Sequence, residues 1–542
     1  MAQSRAPCSF SSLSTEMKEN VFKFIRLTRD KSAVRLVNRD WRDISNSIFW
    51  GRFRTDAQDT ALRSLDTLKD PSCTILSSIR QLVIMTNIIN NEKRAPDSLR
   101  HLIAILPRDQ LQSFSCTIGL VDKATFKLLL QRQQKIEDLR IFTTLKDSTQ
   151  ESDYLSLDEI VSCLSKVRVL DLYFWERKGV DHHRYIVRSL PNIKCVVLCQ
   201  RGNRDPIDHL QTPLETPRTF HITDLVLESF DFSNKPTKML EVITVKSLTA
   251  LYVTDIKDGA TFLRDLMVSL SAPEGGCTPL RTLEITLHPQ QNDPEDTIQA
   301  VEELLASFSG LENLAVETRT YRLIDKSCIE NHRATMKCLA LGTSNTTTPH
   351  YYSAADVHSI LTTCKLLYTL CLNLPPVELG NIHNVGLHFQ LQSPRSSNPK
   401  TEFEVILEHI ATHPTLRGFR TLSLPLIDYN LGRDPDLVAC TQAFITPELI
   451  EPAGATMQNF ANEVMQYLDQ RGSGIKMLSL GQLVGRAGAR FSKDRNGHCW
   501  PYYHYLPGWW VDARGLRHVR AFPLHRPMEE MGIYMRYMFW TW

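Results

Sequence analysis

Residues 280–285 read Leu-Arg-Thr-Leu-Glu-Ile, and residues 311–316 read Leu-Glu-Asn-Leu-Ala-Val. Both follow the pattern apolar-x-x-apolar-x-apolar. The last two apolar positions, two apart, put their side chains on one face of an extended strand. A single triplet carries no weight, but this one recurs in both directions. Toward the N-terminus it returns as Leu248-Leu251-Val253, Ile222-Leu225-Leu227, Ile193-Val196-Leu198, Val167-Leu170-Leu172, Ile136-Leu139-Ile141, Leu111-Phe114-Cys116 and Ile79-Leu82-Ile84. Toward the C-terminus it returns as Met336-Leu339-Leu341, Leu367-Leu370-Leu372, Phe419-Leu422-Leu424 and Ile475-Leu478-Leu480. As far as residue 372 the middle positions are 25 to 32 residues apart. The wider gap that follows is read as hiding a degenerate strand at residues 385–391.

Amphipathic stretches separate the triplets. Helices are predicted over residues 124–131, 157–164, 261–270, 297–308, 354–361, 401–411 and 457–468. Each unit is then a short strand, a loop and a helix. No unit can bury its apolar faces alone, so the units must stack. The reading is an α/β repeat array over residues 54–480, with parallel inner strands and outer helices. An ordinary α/β domain of alternating elements is the alternative.

Composition agrees with a folded chain. Its 542 residues exceed what one core organises, and 42% hydrophobic with 23% charged residues excludes a mostly disordered polymer. A net charge of +2 excludes a global basic field for nucleic acid. No apolar run reaches membrane-spanning length. The first residues lack the apolar segment of a secretory signal. Thirteen cysteines, an odd number with no CxxC pair, read as reduced intracellular thiols. The expected location is intracellular, cytoplasmic or nuclear, and the Asn345-Thr346-Thr347 sequon is expected to stay unmodified.

Residues 10–53 have a different pattern. Ser14 can cap a helix carrying Met17, Val21, Phe22 and Ile25. Asp30 can cap a second, with Ala33, Val34 and Val37. Asn38 can cap a third, with Trp41, Ile44 and Ile48. Three helices this short make too small a core to stand alone.

Leu13-Ser14-Thr15-Glu16, the apolar helix after it, Val34-Arg35-Leu36-Val37-Asn38-Arg39-Asp40-Trp41-Arg42 and Phe49-Trp50 resemble an F-box. Ser14 stands where that family usually has Pro, and Asn38 where it usually has Cys. The triplets resemble leucine-rich repeats. Only the first continues to the family's Asn position, as Ile84-x-x-Asn87-x-Ile89, so irregular turns are expected. The pairing resembles substrate receptors of SCF-type ubiquitin ligases. It implies a Skp-type adaptor on the F-box, a cullin beyond it and a target on the repeats. It implies no catalysis and no cofactor. The adaptor contact would fall on Leu13, Ser14, Glu16, Met17, Val21, Val34, Val37 and Trp41, with Trp41 alternatively holding the helices together.

Strand alternation names the target face. Residues flanking the inward pair should line the concave, solvent side. Expected there are Asp138, Arg140, Asp171, Tyr173, Asp224, Glu228, Tyr252, Glu284 and Glu317, among small residues including Ser113, Ser115, Ala250, Ala315, Ala340, Thr369, Ser423 and Ser479. An acidic lining would attract a basic segment of the target. Scattered acids that merely keep a sheet face soluble are the alternative.

Residues 481–542 hold five of the eight tryptophans and many arginines. They read as a cap on the array, or as a recognition surface at Trp509, Trp510 and Arg514. Nucleic-acid stacking is the least favoured option. No catalytic motif stands out: there is no GxSxG, Walker loop or HExxH. His409 and His413 read as a solvated helix face, and His498, Cys499 and His504 lack metal-ligand spacing. The expected metal content is none.

Overall fold

A computed structural model describes residues 13–24, 33–34, 36–55, 68, 75–84, 95–143, 156–174, 186, 189–199, 221–228, 232, 240, 244–256, 259–270, 279–287, 294–318, 322–343, 350–381, 390–392, 398–423, 425–428, 437–439, 447–481, 492–493, 499–500 and 503–524. The chain divides into two compact units. One comprises Met1–Glu228 with Glu241–Leu248, the other Ser229–Leu240 with Thr249–Trp542.

The first unit opens with α1 (Thr15–Phe24) and α2 (Arg39–Phe49). Ser14 Oγ accepts the Met17 N–H at 3.3 Å, and Asn38 Oδ1 accepts the Trp41 N–H at 2.9 Å, so both expected caps form. Of the second expected helix, only Ala33–Val34 is helical among the described residues, and a turn follows at residues 36–37. Asp30 and Ile25 lie outside the described residues.

β1 (Arg52–Thr55) follows at once and pairs parallel with β2 (Gln81–Ile84). The helical module therefore runs directly into the sheet, and the expected boundary at residue 53 falls inside a strand. Sequence reading missed β1 because Phe53 lacks the apolar partners of a triplet. β3 (Ser113–Val121), β4 (Asp138–Thr143), β5 (Val169–Phe174), β6 (Cys195–Cys199) and β7 (Asp224–Glu228) add in chain order, all parallel. Leu82, Phe114, Leu139, Leu170, Val196 and Leu225 form one in-register row, every member buried. The triplet thus sets the register: a one-residue slip would turn each of these side chains out of the core. α3 (Ala95–Ile105), α4 (Lys123–Arg132) and α5 (Leu157–Cys163) make the crossovers that parallel pairing requires. Asp122 caps α4, and Ser156 with Glu159 forms a capping box on α5.

The second unit repeats the scheme. β8 (Ala250–Ile256), β9 (Thr282–Leu287), β10 (Asn313–Thr318), β11 (Cys338–Thr343), β12 (Thr369–Leu372), β14 (Gly418–Thr421) and β17 (Met477–Leu480) are parallel neighbours. Their row is Leu251, Leu283, Leu314, Leu339, Leu370, Phe419 and Leu478. The crossovers carry α6 (Ala260–Leu270), α7 (Pro294–Ser307), α8 (Lys326–Glu330), α9 (Ala354–Thr363), α10 (Glu402–Thr412) and α11 (Pro447–Asp469).

One triplet was misplaced. Phe419 pairs with Leu370, so the true set is Leu416-Phe419-Thr421 and not Phe419-Leu422-Leu424. Thr421 is polar but buried, which hid it from an apolar search. The strand expected at residues 385–391 lies mostly outside the described residues, and 390–391 is not strand. A separate small sheet joins β13 (Glu378–Asn381), β15 (Leu426–Asp428) and β16 (Leu437–Ala439), and β18 (Ser492–Lys493) pairs antiparallel with β19 (Cys499–Trp500).

The parallel order ends in a hairpin. β20 (Tyr503–Val511) pairs antiparallel with β17, and β21 (Arg517–Pro523) pairs antiparallel with β20. The architecture is α/β and mostly parallel. Among the described residues, no helix is long and apolar enough to cross a membrane.

Candidate functional site

Three surfaces carry the expected site residues. The first is the N-terminal module. Leu13, Val21 and Val34 are half-buried, and Ser14 and Glu16 are exposed. The Glu16 backbone N–H and the Ser14 hydroxyl hold the Glu16 carboxyl below the usual carboxylate range. Met17 is exposed, Val37 is 66% exposed, and Leu36, outside the expected set, is 86% exposed. Trp41 is only 6% exposed. Its indole packs inside the module, which corrects its place among the adaptor contacts. The alternative given for it, holding the helices together, fits its burial. Leu36 was missed because it reads as one more core position, whereas the turn there puts it in water.

The second surface is the strand row opposite the triplet positions. In the first unit the row Val83, Ser115, Arg140, Asp171, Val197 and Val226 is partly exposed as far as Asp171 and buried at Val197 and Val226. Asp138 and Arg140 are partly exposed and bonded at 3.0 Å. Arg140 sits directly across from Asp171 in the ladder. Partial burial works against the Arg140 charge, but Asp138 and Asp171 outweigh it and raise its basicity. Asp224 accepts the Thr223 hydroxyl at 2.6 Å, and Glu228 ends β7 half-buried. Of Tyr173 only its backbone position on β5 is described.

In the second unit the corresponding row runs Tyr252, Glu284, Ala315, Ala340, Cys371, Arg420, Ser479 and His504. Tyr252 is half-buried, but every later member is buried. Glu284 is 7% exposed, so its expected place on an open acidic face is corrected. Ala250, Ala315, Ala340, Thr369 and Ser479, expected on the same open side, are buried as well. Ser423 is outside the row, as the corrected triplet requires.

The reason is local. Leu422 reaches across the face until its Cδ1 would lie 2.1 Å from a Cβ on Gly342. With Ala315, Ala340 and Cys371 it forms a second small apolar cluster. Small side chains let this cover come close over the middle of the row. Burial, and after it the neighbouring Glu317 carboxylate, push the Glu284 carboxyl up to about 8. Its Oε2 has no hydrogen-bond partner. Burial pushes the Arg420 guanidinium down to about 10, and its Nε donates to the Gly481 carbonyl at 2.9 Å. His504 meets Ser479 Oγ at 3.0 Å, and burial holds its imidazole well below the ordinary value.

The third surface is the terminal hairpin. Asp512 organises its turn: Oδ1 accepts the N–H groups of Arg514 at 2.8 Å and Leu516 at 2.9 Å. Gly515 takes φ 78°, the left-handed conformation that closes such a loop with least strain. Trp509, Trp510, Val511, Leu516 and Phe522 are all exposed large apolar side chains. The Arg517 guanidinium lies 4.7 Å from the Trp509 ring centre, and Trp510 stacks on His518 at 4.6 Å. Arg514 is exposed beside them.

Burial pushes the thiols of Cys195 and Cys371 up to about 12, so they are poor nucleophiles. His413 is not on a solvated helix face: its Nε2 lies 3.3 Å from the Cys364 carbonyl. His409 turns toward His358 on α9, with Nδ1 to Nδ1 at 3.2 Å. Among the described residues no group of three or more His, Cys, Asp or Glu is placed to hold a metal. No family model matches the chain, and no curated protein matches it.

Proposed function

We propose that the chain is the substrate receptor of an SCF-type ubiquitin ligase. The F-box-like helices dock on a Skp-type adaptor, which links them to a cullin, and the leucine-rich repeat array with its terminal hairpin holds the target. The receptor performs no bond chemistry; it positions target lysines near the charged conjugating enzyme. The carrying observation is the N-terminal module. It buries Phe22 and Trp41 while Met17, Leu36 and Val37 stand in water. Three large apolar side chains on so small a module are the signature of a surface that a partner covers.

Purified adaptor provides the test. Leu36→Asp with Val37→Asp should abolish its capture while the repeats keep their unfolding transition. Undiminished capture would sink the reading. A scaffold outside any ligase is the second reading, favoured if the parent chain itself captures no adaptor. A binder of RNA or chromatin acting through the C-terminal segment is the third. It requires nucleic-acid affinity that falls steeply with salt.

A further inference from the structure

α9 and α10 are tied together at both ends. At the start, the Ala354 N–H donates to Glu402 Oε1 at 3.1 Å. Beyond the other end, His413 Nε2 lies 3.3 Å from the Cys364 carbonyl, and the Thr415 hydroxyl donates to the Lys365 and Leu367 carbonyls at 2.9 and 2.8 Å. Ile360 and Leu361 on α9 and Ile406 and Ile410 on α10 are buried, which fixes the inner face of each helix.

Two histidines meet on the outer side of this tied pair. His358 on α9 is exposed and His409 on α10 is half-buried, with their Nδ1 atoms 3.2 Å apart. Among the described residues neither ring makes another hydrogen bond. A straight N–H···N bond between imidazoles would set the ring centres about 5.5 Å apart. Here they are 4.5 Å apart with planes inclined by 50°, so a proton shared between the two nitrogens sits off line. Two imidazole nitrogens on one tetrahedral zinc ion, each at about 2.0–2.1 Å, lie about 3.3–3.4 Å from each other. The spacing is already present, and only a small turn of an exposed ring separates it from that geometry.

The protonation state also suits a metal. Burial, and after it the like charge of His358, lower the basicity of His409, and Glu408 offsets part of this. The neutral imidazole so favoured is the form a metal binds. With both Nε2 atoms unbonded, each ring can carry its proton there and leave Nδ1 free. Glu408 is not a third ligand: its Oε1 accepts from Lys400 Nζ at 2.6 Å and from Arg471 Nε at 3.0 Å.

We propose that His358 and His409 bind one divalent transition-metal ion, of the zinc, nickel or copper class, between α9 and α10 through their Nδ1 atoms. Imidazole suits these ions, whereas Mg2+ and Ca2+ take oxygen ligands. Two protein ligands leave the remaining positions to water, so the ion exchanges with solution. It links the helices of two successive repeats, through residues 51 apart in the chain. The site departs from the expectation of no metal. Sequence reading set His409 beside His413 on one helix, whereas its partner comes from the helix before.

The probe is NiCl2, titrated by calorimetry into the full chain after reduction and removal of metal by a chelator. The parent should bind one ion more than His358→Ala with His409→Ala, and either single substitution should weaken that site at least about tenfold. His101→Ala removes an exposed histidine from α3 and should leave the site unchanged. Nickel should also raise the urea midpoint of the parent and not that of the double variant, since an ion held only by the folded chain stabilises it. Should the double variant lose its unfolding transition, the exposed substitution His358→Gln decides alone. Equal nickel binding by parent and variant overturns the proposal. So does a matching difference between them with MgCl2, which would mark unspecific attraction of charge. Adaptor capture needs neither histidine, so this site and the receptor reading fail separately.

Discussion

Arg140 and Arg420 occupy the same position of the repeating strand, each between two residues of the buried triplet row, and they live in different media. Arg140 keeps 21% of its side chain exposed, is bonded to Asp138 and is ladder neighbour to Asp171. Arg420 is 1% exposed and gives its Nε to a backbone carbonyl. One pattern thus yields a partly exposed position at Arg140 and an interior one at Arg420. Alternation tells which face a side chain takes, but says nothing of whether that face meets water.

The largest test of the contrast is the pair of arginine deletions. Arg420→Ala leaves a cavity and a buried, unpaired Gly481 carbonyl, and should cost about 3–5 kcal/mol in urea unfolding of the second unit. A loss below about 1 kcal/mol would mean that this face is open to water after all.

Next comes Glu284. Its folded-state pKa of about 8 lies above the ordinary 4.5. Between those values the folded chain holds a proton that the unfolded chain has lost, so stability falls as pH rises through this window. Glu284→Gln removes that loss. The variant should match the parent near pH 4 and exceed it by on the order of 4 kcal/mol at pH 8. Denaturation midpoints at both pH values check it, and parallel curves would place the carboxyl in water.

Gly342→Ala probes the cover itself. The new methyl would meet Leu422 Cδ1 at 2.1 Å and Asn373 Oδ1 at 3.2 Å. Leu422 must swing aside, at about 1–2 kcal/mol, and nearby Cys371 should then label faster with a thiol reagent. Unchanged labelling would detach Leu422 from the protection of this row. The smallest effect belongs to Arg140→Ala, where a partly exposed ion pair is worth within about 1 kcal/mol. A loss as large as that of Arg420→Ala would erase the difference between the two regions.

How much of this was legible follows from residue type. Leu283, Leu314 and Leu370 read correctly because a leucine at period two in a strand has one favourable destination, the core. Asp122, Ser156 and Thr401 announce helix starts by chemistry that acts within four residues. The alternate positions were not legible. Alanine, serine and cysteine are tolerated on either side of a surface, so their row had no preference to read. Glutamate at 284 has one, for water, and the fold overrode it. Phe419 was displaced in the reading because its strand partner two residues on is Thr421, a polar residue that the fold buries.

The exposed patches divide the same way. Met17, Val37, Trp509, Trp510 and Arg514 were named from the sequence, while Leu36 and Phe522 were not. Which of Met17, Leu36, Val37 and Trp41 faces water depends on how one helix and one turn meet, a relation between residues that no local pattern encodes.

By itself the amino-acid sequence determined the register of most strands, several helix starts and the order of the units, because each follows from hydrophobic burial and capping over a few neighbouring residues. Only the tertiary structure decided which stretch of the row is dry and which charge is buried. Those outcomes depend on Leu422 lying over Gly342, on His504 meeting Ser479 and on Arg420 reaching the Gly481 carbonyl. These contacts join residues tens of positions apart, and their energies exist only once the chain has brought them together.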